Sequence, residues 1–234
     1  MQKALGVLGG MGPLASANFM KQLVENTKAE IDQDHLRIYL DSNAKIPARP
    51  AAILEGGTDP APFMRESIEK LESIGAEVIV MPCITAHAFY DKIVGSASVP
   101  FLYMPEVVAR ACMDKFLGKT AGILSTEATA RIGVLTEPMD KLDLPYITPI
   151  QNEQDEITRL IKEVKANGNM VEVAKDFSKV LDSMILRGAD YFVLGCTELP
   201  VIATYYEGCK YTFVDTTLEL ARAAILECGG ELNG

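Results

Sequence analysis

The chain of 234 residues has no tryptophan, only two histidines and no cysteine pair with C-x-x-C spacing. Protein zinc sites are built mainly from cysteine and histidine at short spacings, so a metal site is not expected. The five cysteines are an odd number without close pairing, which is typical of free thiols in a reducing compartment. We therefore expect a cytoplasmic protein without structural disulfides.

The sequence also lacks a basic excess and a long apolar run. Its net charge at pH 7 is −10, whereas duplex nucleic acid and anionic membranes attract positive surfaces. No apolar stretch approaches the roughly 20 residues that span a bilayer. The short apolar N-terminus continues into residues 9–13 (GGMGP), not into a small-residue cleavage site, so it is interpreted as a first strand. A small molecule is the expected partner, and neither nucleic acid nor membrane is.

Two stretches of the chain share one plan, namely residues 74–85 (IGAEVIVMPCIT) and 187–198 (RGADYFVLGCTE). In each, Gly-Ala ends a helical segment, an acidic residue follows, and an apolar run leads to a cysteine. The cysteine comes eight residues after the glycine in both, at Cys83 and Cys196. Residues 3–10 (KALGVLGG) and 119–126 (KTAGILST) repeat in the same way. The chain is therefore interpreted as two copies of one unit.

Strand and helix patterns alternate in both copies, which predicts an α/β fold with parallel sheets flanked by helices. The expected lobes are 1–104 and 105–214, with a closing helix, 215–228, that packs back on the first lobe. A pseudo-twofold would relate the lobes and place the active site between them. The expected strands are 4–8, 36–40, 100–103, 146–150 and 211–214, together with the apolar runs that lead to Cys83 and Cys196 and the stretch 119–126, which repeats the first strand. The expected helices are 14–30, 60–73, 85–94, 154–166, 171–187 and 216–228, with a long polar loop at 41–58.

Cys83 and Cys196 each end a predicted strand, and ligands of parallel α/β sheets bind beyond the carboxyl ends of the strands. Helix starts predicted after both cysteines would favour the thiolate. Such a pair could be a redox disulfide, a metal clamp, a nucleophile with a spare, or a proton donor and acceptor. A cysteine nucleophile would need a histidine base, and His87 could serve one side only. A symmetric pair of cysteines suits a proton donor and acceptor, so this alternative fits best. The other cysteines, Cys112, Cys209 and Cys228, are interpreted as buried small hydrophobic residues.

Several nearby groups suit a substrate carboxylate and a developing enolate-like charge. Thr85, Thr126 and Thr197 offer hydroxyls and backbone N–H groups beside the cysteines. The glycine turn at 9–13 lacks the G-x-G-x-x-G spacing of dinucleotide sites, so a carboxylate or other anion on backbone N–H groups is favoured there. Arg49, in a proline-stiffened loop, is either a cleft residue or a solvated surface arginine.

The sequence resembles the aspartate/glutamate racemase family, specifically the cofactor-independent aspartate racemases. The motifs that carry the resemblance span nearly the whole chain and are residues 9–13 (GGMGP), 32–35 (DQDH), 46–49 (IPAR), 81–87 (MPCITAH) and 194–200 (LGCTELP). The resemblance implies a homodimer and racemisation by two bases without pyridoxal phosphate or another cofactor. It further implies that Cys83 and Cys196 are the bases.

The resemblance also implies substrate-binding positions. Arg49 matches the family's loop arginine, which is expected to hold the distal carboxylate, and Lys165 matches its second-lobe lysine with a weaker spacing. The remaining implied substrate contacts are Met11, Ile84, Thr85, Thr126, Thr197 and Glu198. With these assignments the sequence predicts racemisation of aspartate or glutamate.

Three departures from the family pattern surround the site. Ile84 stands where the family has asparagine, so a hydrogen-bonding amide beside Cys83 is lost, which is worth about 1–3 kcal/mol. The segment 126–129 (TEAT) replaces a glycine-containing loop, and Ala48 replaces an aspartate. A shifted substrate is therefore an alternative, as in decarboxylases and hydantoin racemases of the same superfamily. A catalytically weak relative that binds an acidic metabolite is another.

Overall fold

The computed structural model describes residues 2–166, 168–206 and 211–233. The chain forms two compact units, one running to Val107 and resuming at Thr217, and the other running from Val108 to Thr216. Both units contain one parallel β-sheet flanked by helices, so the predicted α/β fold with two parallel sheets is confirmed. Within the described ranges, no helix has the length and the apolar character needed to cross a membrane.

The first unit is built on a three-stranded sheet with the order β2-β1-β3. Its strands are β1 (Leu5–Gly9), β2 (Ile38–Ser42) and β3 (Val78–Val80), all parallel. Its helices are α1 (Pro13–Asn26), α2 (Arg49–Leu54), α3 (Ala61–Ser73) and α4 (Tyr90–Ile93), and α5 (Met104–Phe116) begins in this unit. Turns of 3-10 helix cover Asp32–Asp34, Ile84–Phe89 and Val94–Ser96.

The second unit is built on a four-stranded parallel sheet with the order β5-β4-β6-β7. Its strands are β4 (Ala121–Ser125), β5 (Tyr146–Ile147), β6 (Tyr191–Gly195) and β7 (Phe213–Asp215). Its helices are α6 (Glu127–Ile132), α7 (Thr136–Lys141), α8 (Gln151–Lys165), α9 (Met170–Leu186) and α10 (Leu199–Ala203), with a 3-10 turn at Thr204–Tyr206. The last helix, α11 (Thr216–Glu227), belongs almost wholly to the first unit.

The central strands form the core of each sheet. Every residue of β1, β4 and β6 is buried, as expected of parallel strands that are covered on both faces. The buried thiols of Cys112 and Cys228 confirm their interpretation as core residues, while Cys209 lies outside the described residues.

The glycines of the two repeated stretches end a helix in the same way. Gly75 follows α3 with a φ of 101°, and Gly188 follows α9 with a φ of 104°. Glycine adopts this left-handed conformation at a helix end without steric cost. The next residue then bonds back to its helix, with N···O distances of 3.0 Å from Ala76 to Leu71 and 3.0 Å from Ala189 to Met184.

The acidic residues of the repeat cap the first strand of their own unit. The Glu77 carboxylate accepts the N–H of Ala4 at 2.9 Å, and the Asp190 carboxylate accepts the N–H of Thr120 at 2.7 Å. Each acid also donates its backbone N–H to the same partner's carbonyl, at 2.8 Å in both units. The repeat read from the sequence therefore has a physical cause, since it joins a helix end to the sheet.

Three sequence predictions in the first unit are wrong in part. The expected loop 41–58 contains α2, which starts at Arg49 with Pro50 in its first turn. The expected helix 85–94 is a 3-10 turn followed by a single turn of α-helix. The expected strand 100–103 is only an isolated bridge between Phe101 and Ile79. Helices α5, α6 and α7 were not predicted at all.

Candidate active site

Cys83 lies just beyond the carboxyl end of β3 and is partly exposed. The sheet register pairs Val7 of β1 with Val80 of β3. Gly10 and Cys83 each come three residues after this pair, beyond the ends of the two neighbouring strands. Cys83 begins the 3-10 turn Ile84–Phe89, and its carbonyl accepts the N–H of Ala86 at 3.1 Å. The helix start expected after this cysteine is therefore a 3-10 turn.

Steric contacts require glycine at residue 10, in the turn beside Cys83. Gly10 has a φ of 83°, and a Cβ built there would lie 2.3 Å from the backbone carbon of Asn43. Its N–H donates to the Ser16 hydroxyl at 2.8 Å, and Ser16 in turn donates to the Gly12 carbonyl at 3.1 Å. This turn leads into α1 and buries Met11. Only glycine fits at residue 10.

The residues that follow Cys83 are buried. Ile84 is 4% exposed and Thr85 is 8% exposed, so hydrocarbon fills the position directly after the cysteine. The Ile84 side chain has no hydrogen-bonding group, so it offers a ligand apolar contact alone. Ile84, which stands where the family has asparagine, is therefore a buried residue.

His87 is a buried side chain held by its own segment. Its Nε2 lies 3.0 Å from the Met81 carbonyl, which requires Nε2 to be the protonated nitrogen, while its Nδ1 is buried without a hydrogen-bond partner. Burial lowers the pKa of His87 to about 4, so the ring is neutral at pH 7. Its ring packs against those of Tyr90 and Tyr103, with centroid distances of 5.9 Å and 5.4 Å. The hydrogen bond between His87 and Met81 thus links residues that precede and follow Cys83 in the sequence.

Arg49 is oriented by its own loop. Its Nη1 donates to the carbonyls of Ile46 at 3.3 Å and Pro47 at 3.0 Å, and its Nε is buried without a hydrogen-bond partner. The guanidinium is therefore partly buried and held by its own loop. A buried N–H without an acceptor is costly, and it suits an anionic ligand that would supply one.

Cys196 directly follows β6 in the second unit. The register pairs Ser125 with Gly195, which makes Thr126 and Cys196 the next residues on neighbouring strands. A Cβ at Gly195 would lie 2.5 Å from Leu135 Cδ1 and 2.9 Å from the Leu124 carbonyl oxygen, so a side chain there would collide with the core. The glycine allows the strand to pack closely just before the cysteine.

Thr126 begins helix α6. Its Oγ1 accepts the N–H of Thr129 at 3.3 Å and lies 3.0 Å from the Thr129 hydroxyl. Glu127 pairs with Arg131 along the same helix, with 2.6 Å between Oε1 and Nη2. The departure from glycine in this segment thus yields a capped helix, with Ala128 buried beneath it.

The thiol of Cys196 donates to Glu198, with 2.8 Å between Sγ and Oε2. The Thr197 hydroxyl donates to the same oxygen at 3.2 Å, and Lys165 Nζ lies 3.6 Å from Oε1. Burial, together with the nearby Glu198 charge and hydrogen bond, raises the pKa of Cys196 well above its ordinary value. The sequence predicted the opposite shift from a helix start, but α10 begins only at Leu199 and has five residues.

Residues 8–224 match the family model described as Asp/Glu/hydantoin racemase. The chain belongs to this family. Among solved structures, it resembles the aspartate racemase of Picrophilus torridus with a TM-score of 0.87 and 32% identity, over 99% of this chain and 96% of that one. A glutamate racemase isoform of Bacillus anthracis, 20% identical, shares the fold with a TM-score of 0.66 over 98% and 82% of the two chains. These findings confirm the resemblance read from the motifs.

A curated relative points to the same class of enzyme. The broad specificity amino-acid racemase of Bacillus subtilis (strain 168) is 24% identical over 234 residues, covering 94% of this chain and 96% of the relative. The chain is therefore an amino-acid racemase, an enzyme of the isomerase class, as the sequence predicted.

Within each unit of the racemase, the structure gathers several of the predicted site residues. The second unit brings Lys165, Thr197 and Glu198 to Cys196, with Thr126 on the next strand. The first unit places Ile84 and Thr85 in the turn after Cys83, and Met11 in the glycine turn on the neighbouring strand. In the described part of the racemase, no three His, Cys, Asp or Glu side chains cluster as metal ligands would.

The bond between Cys196 and Glu198 was not predicted from the sequence, which assigned Glu198 to the substrate. The only signal was the spacing of two residues between a strand-end cysteine and an acid. That spacing does not specify which way the side chain turns once the strand has ended.

Proposed function

We propose that this racemase interconverts the enantiomers of an acidic amino acid, with aspartate the first choice and glutamate the second. Cys83 and Cys196 are the proton donor and acceptor, and no cofactor takes part. The observation that carries the proposal is the structural repeat, which sets one cysteine at the carboxyl end of a buried strand in each unit. The 32% identity to an aspartate racemase over nearly the whole chain supports aspartate.

In the proposed reaction one cysteine enters as thiolate and the other as thiol. The thiolate removes the proton from one face of the α-carbon, and the thiol delivers its proton to the opposite face. The proposed reactive form therefore carries one proton between the two sulfurs. The raised pKa of Cys196 supports this cysteine as the thiol.

The negative charge that develops on the substrate carboxylate needs hydrogen-bond donors close by. Thr85 and Thr197 directly neighbour the cysteine segments, and we assign their hydroxyls or backbone N–H groups to this carboxylate. Arg49, with a buried Nε–H that has no acceptor, is assigned to the distal carboxylate. Lys165 is exposed and faces Glu198, which supports an electrostatic role at Cys196 more than a direct substrate contact.

A second candidate is a racemase with wider or less polar substrate choice. Buried Ile84 favours it, because a hydrocarbon side chain beside Cys83 cannot bond to the substrate's amino or carboxylate groups. The relative named a broad specificity amino-acid racemase is consistent with such a variant of the family. Dimerisation is a further part of the proposal, tested by light scattering of the purified chain.

The test is incorporation of solvent deuterium at the α-carbon over a panel of amino acids in D₂O, followed by NMR, with chiral chromatography to follow racemisation. We expect racemisation of aspartate that is lost in both Cys83→Ala and Cys196→Ala. Cys112→Ala, which removes a buried core thiol, is the matched control and should remain active.

Three outcomes are decisive. Racemisation of other amino acids but not of aspartate or glutamate would select the second candidate. No exchange and no racemisation on any amino acid would overturn the racemisation proposal and leave a metabolite-binding relative. Activity that survives the loss of either cysteine would overturn the two-base assignment.

A further inference from the structure

The Glu198 carboxylate contacts the Cys196 thiol directly. Its Oε2 receives both the S–H of Cys196 at 2.8 Å and the O–H of Thr197 at 3.2 Å. A carboxylate that accepts an S–H bond stabilises the thiol, because ionising the sulfur would both break that bond and set two negative charges together. The contact therefore bears directly on the protonation of one of the two proposed bases.

The positive charge available to offset Glu198 is weakly placed. Lys165 Nζ lies 3.6 Å from Oε1, and the Lys165 side chain is 59% exposed while that of Glu198 is 18% exposed. Water around the exposed Lys165 ammonium screens its attraction for the carboxylate. The Glu198 charge therefore acts mainly on the Cys196 sulfur. The sulfur contacts Oε2, whereas Lys165 faces Oε1.

The contacts also leave Glu198 little capacity for a substrate. One oxygen is shared by two donors of its own segment, and the other faces Lys165. A fixed carboxylate would moreover repel an acidic amino acid. These contacts do not support the substrate-binding role that the sequence suggested for Glu198.

We propose that Glu198 is a positioning residue that keeps Cys196 protonated and directs its S–H, so that Cys196 is the proton donor of the resting racemase. This inference rests on the proposed two-cysteine function. The two units then differ chemically, because the sequence offers Ile84 and Thr85 after Cys83 but Thr197 and Glu198 after Cys196. Cys83 is then assigned as the proton acceptor.

The proton balance of one turnover follows from this assignment. The α-carbon–hydrogen bond breaks and an S–H bond forms on Cys83, while the S–H bond of Cys196 breaks and a new α-carbon–hydrogen bond forms. The enzyme is left with a Cys83 thiol and a Cys196 thiolate beside Glu198. Repulsion between the two anions then favours return of a proton from solvent to Cys196, with release of one from Cys83.

The test measures the reactivity of Cys196 against pH without requiring turnover. The full chain in a Cys83→Ala background, which removes coupling to the other base, is alkylated with iodoacetamide, and the modified Cys196 peptide is quantified by mass spectrometry. Glu198→Gln removes the charge at nearly constant volume, and Glu198→Asp keeps it. Glu137→Gln is the matched control, because Glu137 is an exposed acid of the same unit, paired with Lys141 at 2.8 Å.

We expect the alkylation midpoint of Glu198→Gln to move to lower pH by at least about one unit, which makes Cys196 about tenfold more reactive at neutral pH. Glu198→Asp and Glu137→Gln should keep the high midpoint. Circular dichroism shows whether each variant is folded, and if Glu198→Gln is not, Glu198→Ala, which also removes the charge, takes its place and should show the same downward shift. Equal midpoints in the folded Cys83→Ala chain and in the same chain carrying Glu198→Gln would overturn the proposal.

This result is independent of the proposed function. A shifted midpoint without racemisation of any amino acid would leave the Glu198 assignment in place and defeat the reaction. Racemisation with an unshifted midpoint would support the reaction and overturn the Glu198 assignment.

Discussion

Glu77 and Asp190 hold equivalent places in the two units, since each carboxylate accepts the backbone N–H that precedes the first strand of its own sheet. Six residues after each acid comes a cysteine at the end of the next strand, Cys83 or Cys196. The equivalence extends from the helix-ending glycine to the cysteine, so the two thiols are structural counterparts. Their surroundings are not equivalent, and the predictions below address that difference.

Ile84 is the departure most directly tied to substrate choice. Replacing it with asparagine restores a hydrogen-bonding amide beside Cys83, so Ile84→Asn should raise kcat/KM for aspartate by about tenfold, the effect of roughly one buried hydrogen bond. Ile84→Leu, which keeps the hydrocarbon, is the control and should leave aspartate kinetics nearly unchanged. A fall in aspartate turnover in Ile84→Asn would instead indicate that the native substrate is less polar.

Arg49 should affect binding of the distal carboxylate specifically. Removing a charged hydrogen bond costs about 1.5–3 kcal/mol, so Arg49→Gln should raise the KM for aspartate by at least about tenfold. Exchange on alanine, which has no distal carboxylate, should change little. Arg65→Gln is the matched control, because Arg65 donates to the Lys92 carbonyl on the exposed surface. Equal effects of Arg49→Gln on aspartate and alanine would refute the assignment.

His87 should make the fold sensitive to mild acid. Its pKa is about 4 in the folded chain against 6.5 in a free histidine, so between these values the unfolded chain binds the extra proton. The free energy of unfolding should therefore fall as the pH drops from 6.5 to 4, by up to about 3 kcal/mol. Urea unfolding over this range should show a shallower dependence in His87→Gln.

The other histidine is the control for that measurement. His35→Gln should keep the slope of wild type, because it leaves the buried His87 and every carboxylate in place. If His87→Gln and His35→Gln have the same slope, burial of His87 does not contribute to acid sensitivity.

The elements that could be predicted were those whose local pattern agrees with the fold. Strands β1 and β4 are apolar runs that end in glycine or serine, and each begins and ends in the structure within two residues of the expected bounds. Helix α2 was missed because its six residues are too few to show a helical period, although Pro50 in its first turn is a start signal. The segment after Cys83 was predicted as a helix, but tertiary packing holds it as a 3-10 turn.

The sequence predicts where Cys83 and Cys196 lie in the fold better than it predicts their contacts. Both cysteines follow strand ends, which the sequence marks clearly. The direction of Glu198 toward Cys196, the unused Nε of Arg49 and the carbonyl that holds His87 depend on side-chain rotamers and on backbone distant in sequence. Such contacts leave no periodic signal.

The central claim is that two cysteines act on opposite faces of one carbon, and the position of deuterium in the first turnovers tests it most directly. L-aspartate is incubated in D₂O with enzyme that has been equilibrated in D₂O, and both enantiomers are separated and examined by NMR before equilibrium is approached. Two monoprotic bases require that the D-aspartate formed carries deuterium at its α-carbon while the remaining L-aspartate stays protonated. Deuterium appearing at equal rates in both enantiomers would contradict the two-base account.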